Sequence, residues 1–169
     1  MPDFIKTYVR VVDTFNRRVG IFAMYLIFAM FAILLYSSLS KAFHLPANWT
    51  LESAQFTMAA YYMLGGAFAM QTGDHVRMDL FYGTWSARKR AAFDTVTAVA
   101  LIVFLGFMLY GGIASTTYAI QFKEKSFTAW APYMAPIKIV MTFGIVMMLA
   151  QATSSLFKDI AELRGRPIE

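Results

Sequence analysis

The sequence predicts an all-α integral membrane protein with four transmembrane helices. Of its 169 residues, 59% are hydrophobic and only 15% are charged, whereas soluble domains have about 45–50% apolar and about 25% charged residues. Four segments contain no Asp, Glu, Lys, Arg or His, and they are residues 19–40, 53–73, 95–122 and 139–157. A bilayer core of about 30 Å requires roughly 20 helical residues, so each segment is long enough to cross it.

The first element is an amphipathic helix over about residues 3–18, which directly precedes the first span at about 19–40. Its apolar residues follow helical spacing and charged residues fill most of the other positions, so we expect it to lie on the membrane interface. A cytoplasmic extension of the first span is the alternative. The other spans are predicted at about 53–73, 92–122 and 137–158, all within a single membrane domain of residues 1–169.

The distribution of basic residues predicts that both termini are cytoplasmic. The two tails and the loop between the second and third spans contain 11 Lys and Arg residues, against 4 in the other two loops. Loops with an excess of Lys and Arg stay on the cytoplasmic side of a membrane. This accounts for the net charge of +5 without a nucleic-acid partner.

Small residues at four-residue spacing predict close helix–helix contacts in the second and third spans. Small side chains let the backbones of membrane helices approach each other, within one chain or with a partner. A substrate channel is the alternative interpretation. The residues are Gly65, Gly66, Ala69 and Gly73 in the second span, and Gly111 and Ser115 in the third.

No ionisable residue lies in the middle of any of the four predicted spans. Proton relays and carriers of charged substrates normally place an acidic, basic or histidine side chain there. The sequence also has no cysteine, which excludes disulfides, thiolate metal sites and cysteine nucleophiles. We therefore expect an accessory subunit with no enzymatic activity, cofactor or metal site, rather than an autonomous four-helix carrier.

The two histidines argue against a haem held within this chain. His44 follows the first span and His75 follows the second, so the bilayer would separate the two imidazoles. A membrane anchor of a redox complex remains an alternative if a partner supplies haem ligands.

Two short polar motifs flank the second span. Trp49 and Glu52 precede the span, and His75, Arg77 and Asp79 follow it. Glu52 is expected in the first helical turn, where a carboxylate is stabilised by the helix dipole; pairing with a basic residue of a partner is the alternative. The second motif is compatible with a short element at the membrane edge and with a solvated turn.

These features resemble the small permease subunit of tripartite ATP-independent periplasmic (TRAP) transporters, the DctQ-type family. The most specific part is the segment GDHVRMDL at residues 73–80, which follows a glycine-bearing helix. Looser parts are the motif of Trp49 and Glu52 and the proline-containing stretch before the fourth span. The resemblance covers roughly residues 10–165.

The resemblance implies a three-component system in the inner membrane of a bacterium or archaeon. A periplasmic binding protein would capture an organic acid, such as a C4-dicarboxylate, keto acid or sugar acid. A large permease subunit would hold the substrate and sodium sites, and the small, non-catalytic subunit would pack against it as part of a fixed frame. By this resemblance, the residues that contact the large subunit or membrane lipids would be Trp49, Glu52, His75, Arg77 and Asp79.

Overall fold

The computed structural model describes residues 3–72 and 87–163. These residues form four helices, α1 (Asp3–Ala42), α2 (Trp49–Thr72), α3 (Ala87–Gln121) and α4 (Ala135–Leu163). The all-α prediction is confirmed, and the described residues add a single isolated β-bridge between Lys125 and Tyr133. Three segments are long and apolar enough to cross a membrane, and they are Phe4–Ala42, Phe93–Gln121 and Ala135–Ala161.

The second helix, α2, is not one of these three segments, and its sequence includes two tyrosines and two glutamines. Its 24 residues nevertheless extend for about 36 Å. α2 runs antiparallel to α1, since Gly20 of α1 lies against Phe68 at one end and Ser37 of α1 is hydrogen-bonded to Thr50 at the other. α2 therefore lies along the apolar part of α1, and its position supports the prediction of a fourth span.

The structure corrects the prediction of a separate interfacial helix at the N-terminus. α1 is a single helix of 40 residues, so the amphipathic segment at 3–18 is an extension of the first span and not a separate helix on the membrane interface. The physical reason is that α4 covers part of its apolar face. Tyr8 packs edge-on against Phe157 of α4, with ring centroids 6.1 Å apart, and Val9 is buried.

The packing order of the helices places α3 at one side of the bundle. α4 packs against α1, α2 and α3, whereas α3 makes no comparable contact with α1 or α2 within the described ranges. One apolar cluster lies between α1, α2 and α4, and its buried members are Ala23, Leu64, Ala67 and Met147. A second cluster joins α3 to α4, and its buried members are Leu105, Ile145 and Ala152.

The helices alternate in direction, so the connections 43–48 and 122–134 lie at one end of the bundle, here called the loop end. Asp3 and Leu163 lie at the opposite, terminal end. At the loop end, His44 follows α1 with a φ of 57°, and the next residue, Leu45, donates its N–H to the carbonyl of Ser40 at 2.8 Å. This is a Schellman helix end, so His44 has a structural position in the cap of α1.

Candidate functional site

The residues predicted to contact a partner divide between the described and the undescribed parts of the chain. Trp49 and Glu52 lie in the first turn of α2, at the loop end. The remaining motif residues, together with the last glycine of the α2 pattern, lie outside the described residues, so their roles stay predictions. These residues are Gly73, His75, Arg77 and Asp79.

Trp49 forms an aromatic pair with Tyr36 of α1. The two ring centroids are 5.5 Å apart and the rings are tilted by 34°. Both side chains keep much of their surface exposed, at 39% for Trp49 and 50% for Tyr36. An exposed Trp–Tyr pair at the end of two membrane helices is typical of the interfacial aromatic belt, and it is open to a lipid or a partner.

Glu52 is buried inside the bundle, with only 6% of its surface exposed. Its Oε2 has no hydrogen-bond partner among the described residues. In the first turn of α2 the carboxylate lies where the helix dipole favours negative charge. Both the dipole role and a contact with a basic residue of a partner stay predictions for Glu52.

Beside Glu52, Thr50 ties α2 to α1. Its Oγ1 is hydrogen-bonded to Ser37 Oγ at 2.9 Å and to the carbonyl oxygen of Ala47 at 2.7 Å. Thr50 and Ser37 are only 1% and 4% exposed. Sequence reasoning missed this contact; the available signal was a threonine in the first turn of α2 with serines near the end of α1.

Two glycines pack against α4, and both are neighbours of glycines that open onto free space. A Cβ added to Gly66 would lie 3.1 Å from Met148 Sδ, and one added to Gly112 would lie 3.2 Å from Thr142 Oγ1. A Cβ added to Gly65 or Gly111 would meet nothing within 4 Å. The contact of Gly65 and Gly111 with a partner therefore stays a prediction.

Two other glycines, which the small-residue pattern missed, leave no room for a Cβ. A Cβ on Gly20 would overlap the Phe68 side chain, and a Cβ on Gly144 would lie 2.8 Å from the carbonyl oxygen of Met63. Neither glycine belongs to a four-residue repeat with other small residues, so the signal was only an isolated glycine in an apolar segment. The remaining predicted residues, Ala69 and Ser115, are half-buried and exposed, respectively.

A buried polar cluster joins α1 to α4 towards the terminal end. Asn16 Nδ2 donates to Gln151 Oε1 at 2.7 Å, and Gln151 Nε2 donates to Asp13 Oδ1 at 3.0 Å. Asp13 also accepts a hydrogen bond from Ser154 at 3.3 Å and pairs with Lys158. Asn16, Gln151 and Ser154 are 1% exposed or less. We call these five residues the terminal polar cluster.

Sequence reasoning did not identify the terminal polar cluster, although its spacing carried a signal. Asp13 and Asn16 are three positions apart, and Gln151, Ser154 and Lys158 follow at intervals of three and four. Residues with these intervals share one face of a helix. The spacing therefore indicated one polar face on each helix, but not that the two faces contact each other.

An open groove lies between α3 and α4 and extends towards the loop end. Its volume is about 320 Å³, and its lining is mostly apolar, with Lys138 as the charged residue. Gly111 and Ser115, two of the residues predicted to contact another helix, line this groove. Thr116 and Thr142 lie at its wall, where their hydroxyls are 2.9 Å apart.

The described surface of α3 beyond the groove is also apolar. Val96 is 68% exposed and Tyr110 is 78% exposed. Such a surface in a chain with membrane-spanning helices is covered by lipid or by another membrane protein.

One family model matches most of the chain. It describes the DctQ component of tripartite ATP-independent periplasmic transporters, and it matches residues 30–162. The matched range includes all of α2 and α3, and the groove that lies between α3 and α4. No curated protein matches the chain.

Proposed function

Since the chain belongs to the DctQ component family of TRAP transporters, we propose that it is the small membrane subunit of such a transporter and serves as a scaffold for the large permease subunit. The family is one of transporter components and not of enzymes. The proposal concerns the part that this chain plays within the complex.

The proposal rests on hydrogen bonds between polar side chains of different helices within the described bundle. A subunit that moves a solute needs polar groups that bind it and helices that separate around it. Here buried or half-buried polar groups are hydrogen-bonded between helices at three places, which fixes the helices to one another. The pairs are Ser37–Thr50, Thr116–Thr142 and Asn16–Gln151.

We also propose how the chain is oriented in the membrane and which role each component of the complex has. The excess of basic residues in the two tails and the loop between α2 and α3 supports a cytoplasmic terminal end, so the loop end would face the periplasm. The complex would lie in the cytoplasmic membrane of a bacterium or archaeon. The large permease would hold the sodium and organic-acid sites, and a periplasmic binding protein would deliver the substrate.

Co-purification followed by reconstitution tests the proposal. A tagged large permease encoded beside this chain should retain it in mild detergent. Proteoliposomes with both membrane subunits and the binding protein should accumulate the organic acid along a sodium gradient, whereas this chain alone should carry no flux. Flux through the isolated chain would instead support an autonomous carrier, and a permease that assembles and transports fully without the chain would exclude the scaffold role.

A further inference from the structure

The geometry of the groove between α3 and α4 points to a lipid site: we propose that it binds an acyl chain of an anionic phospholipid, whose phosphate lies against Lys138 at the loop end. The inference rests on the membrane position of the helices and does not require the large permease.

The dimensions of the groove fit one leaflet of a bilayer. Its volume of about 320 Å³ lies in the range of ligand pockets, which is about 300–1,000 Å³. On α3 the lining extends from Phe104 to Thr116, a distance of about 18 Å along the helix. This is slightly more than half of the hydrocarbon thickness of about 30 Å, so the groove has the length of one lipid chain.

The chemistry of the lining requires a ligand that is apolar along most of its length. Phe104, Phe107, Met108, Met141 and Ile145 provide large apolar walls. Gly111 leaves space between them, because a Cβ there would meet nothing within 4 Å. The hydroxyls of Thr116 and Thr142 are hydrogen-bonded to each other and to the carbonyl oxygen of Lys138, so they do not require a polar ligand.

The loop end supplies the positive charge. Lys138 is paired with Glu124, but an ammonium group has three donors, and the Lys138 side chain is 19% exposed. The segment 122–138 has three lysines and one glutamate, for a net charge of +2, and Lys123 and Lys125 are exposed. A phosphate at this end would therefore meet an excess of cations.

The aromatic side chains of the loop place this end at headgroup level. Trp130 and Tyr133 are about half exposed, at 45% and 52%, and Lys125 lies 4.9 Å from the centre of the Tyr133 ring. Trp and Tyr are enriched where the hydrocarbon meets the headgroups. The cationic end and the apolar groove thus match the two parts of one amphiphilic molecule.

Native mass spectrometry of the purified full-length chain tests the site. The probes are phosphatidylglycerol, phosphatidylcholine with the same acyl chains, and glycerol 3-phosphate as a headgroup without chains. We expect one phosphatidylglycerol to be retained about tenfold more tightly than phosphatidylcholine, and no retention of glycerol 3-phosphate. Equal retention of the two lipids would overturn the charge assignment and the proposal with it, and retention of glycerol 3-phosphate alone would indicate a phosphate site.

A matched pair of glycine variants tests the groove itself. Gly111→Leu projects into the groove, whereas Gly106→Leu lies on the same helix outside the lining, and a Cβ at either position meets nothing within 4 Å. Gly111→Leu should lower phosphatidylglycerol retention about tenfold, and Gly106→Leu should leave it unchanged. Unchanged retention in Gly111→Leu would overturn the proposal. Should that variant unfold by circular dichroism, Ser115→Leu fills the same groove and decides the outcome.

Two further measurements test the role of the Lys138 charge and whether a lipid or a partner helix occupies the groove. The double variant Glu124→Gln/Lys138→Gln removes the ion pair without leaving an unpaired carboxylate, and its preference for phosphatidylglycerol should fall towards that for phosphatidylcholine. An unchanged preference would contradict the role of Lys138. In the complex, Gly111→Leu should release lipid and keep the large permease; release of the permease with lipid retained would show that a partner helix occupies the groove.

Discussion

Asn16 and Gln151 are 135 positions apart in the chain, yet Asn16 Nδ2 donates a hydrogen bond of 2.7 Å to Gln151 Oε1. Their side chains are 1% and 0% exposed. This bond links the part of α1 before the first charge-free segment to the last helix. It explains why the amphipathic segment continues along the bundle rather than turning onto the membrane surface, since a buried amide without a partner is costly.

The Asn16–Gln151 bond should make the two residues energetically coupled. Gln151→Leu removes the acceptor of the buried Asn16 amide and one of the donors to the Asp13 carboxylate, so we expect a loss of about 1–3 kcal/mol in the free energy of unfolding. The double variant Asn16→Leu/Gln151→Leu removes both amides and should lose less than the sum of the single changes. Thermal unfolding in detergent, read by circular dichroism, measures these differences.

The control for this cycle is Gln55→Leu, a matched change at an exposed position of α2, which should leave stability nearly unchanged. Additive losses for Asn16→Leu and Gln151→Leu would show that the observed hydrogen bond contributes no coupling, and that the terminal polar cluster does not hold α1 against α4.

Gly144 and Gly65 should respond in opposite ways to the same substitution. An alanine Cβ at position 144 would lie 2.8 Å from the backbone carbonyl oxygen of Met63, so the backbones of α2 and α4 must separate, at a cost of about 1–3 kcal/mol. Alanine at position 65 meets open space and improves helix propensity by about 0.8–1 kcal/mol. Melting temperatures of Gly144→Ala and Gly65→Ala should therefore fall and rise, respectively; similar shifts in both would contradict the packing described for α2 and α4.

The sequence was sufficient to locate the helices but not their contacting faces. Charge-free segments with polar boundaries indicate spans whichever way each helix is rotated. Gly65 and Gly66 illustrate the limit, because they are neighbours separated by about 100° around the helix, and apolar residues surround both. Only Gly66 contacts α4 through Met148. The exposed surface of a membrane helix is not marked by polar residues, so the sequence pattern could not show which of the two glycines faces another helix.

The terminal polar cluster shows a second limit of sequence-based prediction: the sequence does not indicate which residues pair when they are far apart in the chain. Asp13 and Lys158 are paired across 145 positions, and the position of each in its own segment indicates a polar face without indicating its partner. The small residues of α3 that were predicted to contact another helix show the same limit. Gly111 and Ser115 were identified as small, but the space beside them depends on how α3 meets α4.

His44 should be replaceable by glycine with a gain in stability. Its φ of 57° lies in the left-handed region, which costs an L-residue about 1–2 kcal/mol, and glycine is the residue usual at this position of a Schellman helix end. Part of the gain is offset because glycine has more conformational freedom when unfolded. We expect His44→Gly to raise the free energy of unfolding by about 1 kcal/mol, measured by thermal unfolding.

His44→Ala is the control for this change. It removes the imidazole but keeps the Cβ, so it keeps the conformational cost and should show no gain. A loss of stability in both variants would indicate that the imidazole itself has a binding partner, and a haem absorbance that disappears with His44→Gly in the purified complex would support the redox-anchor alternative.

Gly65→Leu should separate stability from assembly. A Cβ at this position meets nothing within 4 Å, so a leucine there should leave the isolated chain folded, with a melting temperature no lower than that of the unchanged protein. If Gly65 lets a helix of the large permease approach closely, as small residues do in membrane interfaces, the same leucine should reduce the amount of this chain that co-purifies with the tagged permease. The matched variant is Gly106→Leu on α3, where an added Cβ also meets nothing within 4 Å. It should assemble normally with the permease if the permease docks on α2. Normal assembly of Gly65→Leu would mean that lipid covers this part of α2, and loss of assembly in Gly106→Leu alone would place the permease on α3.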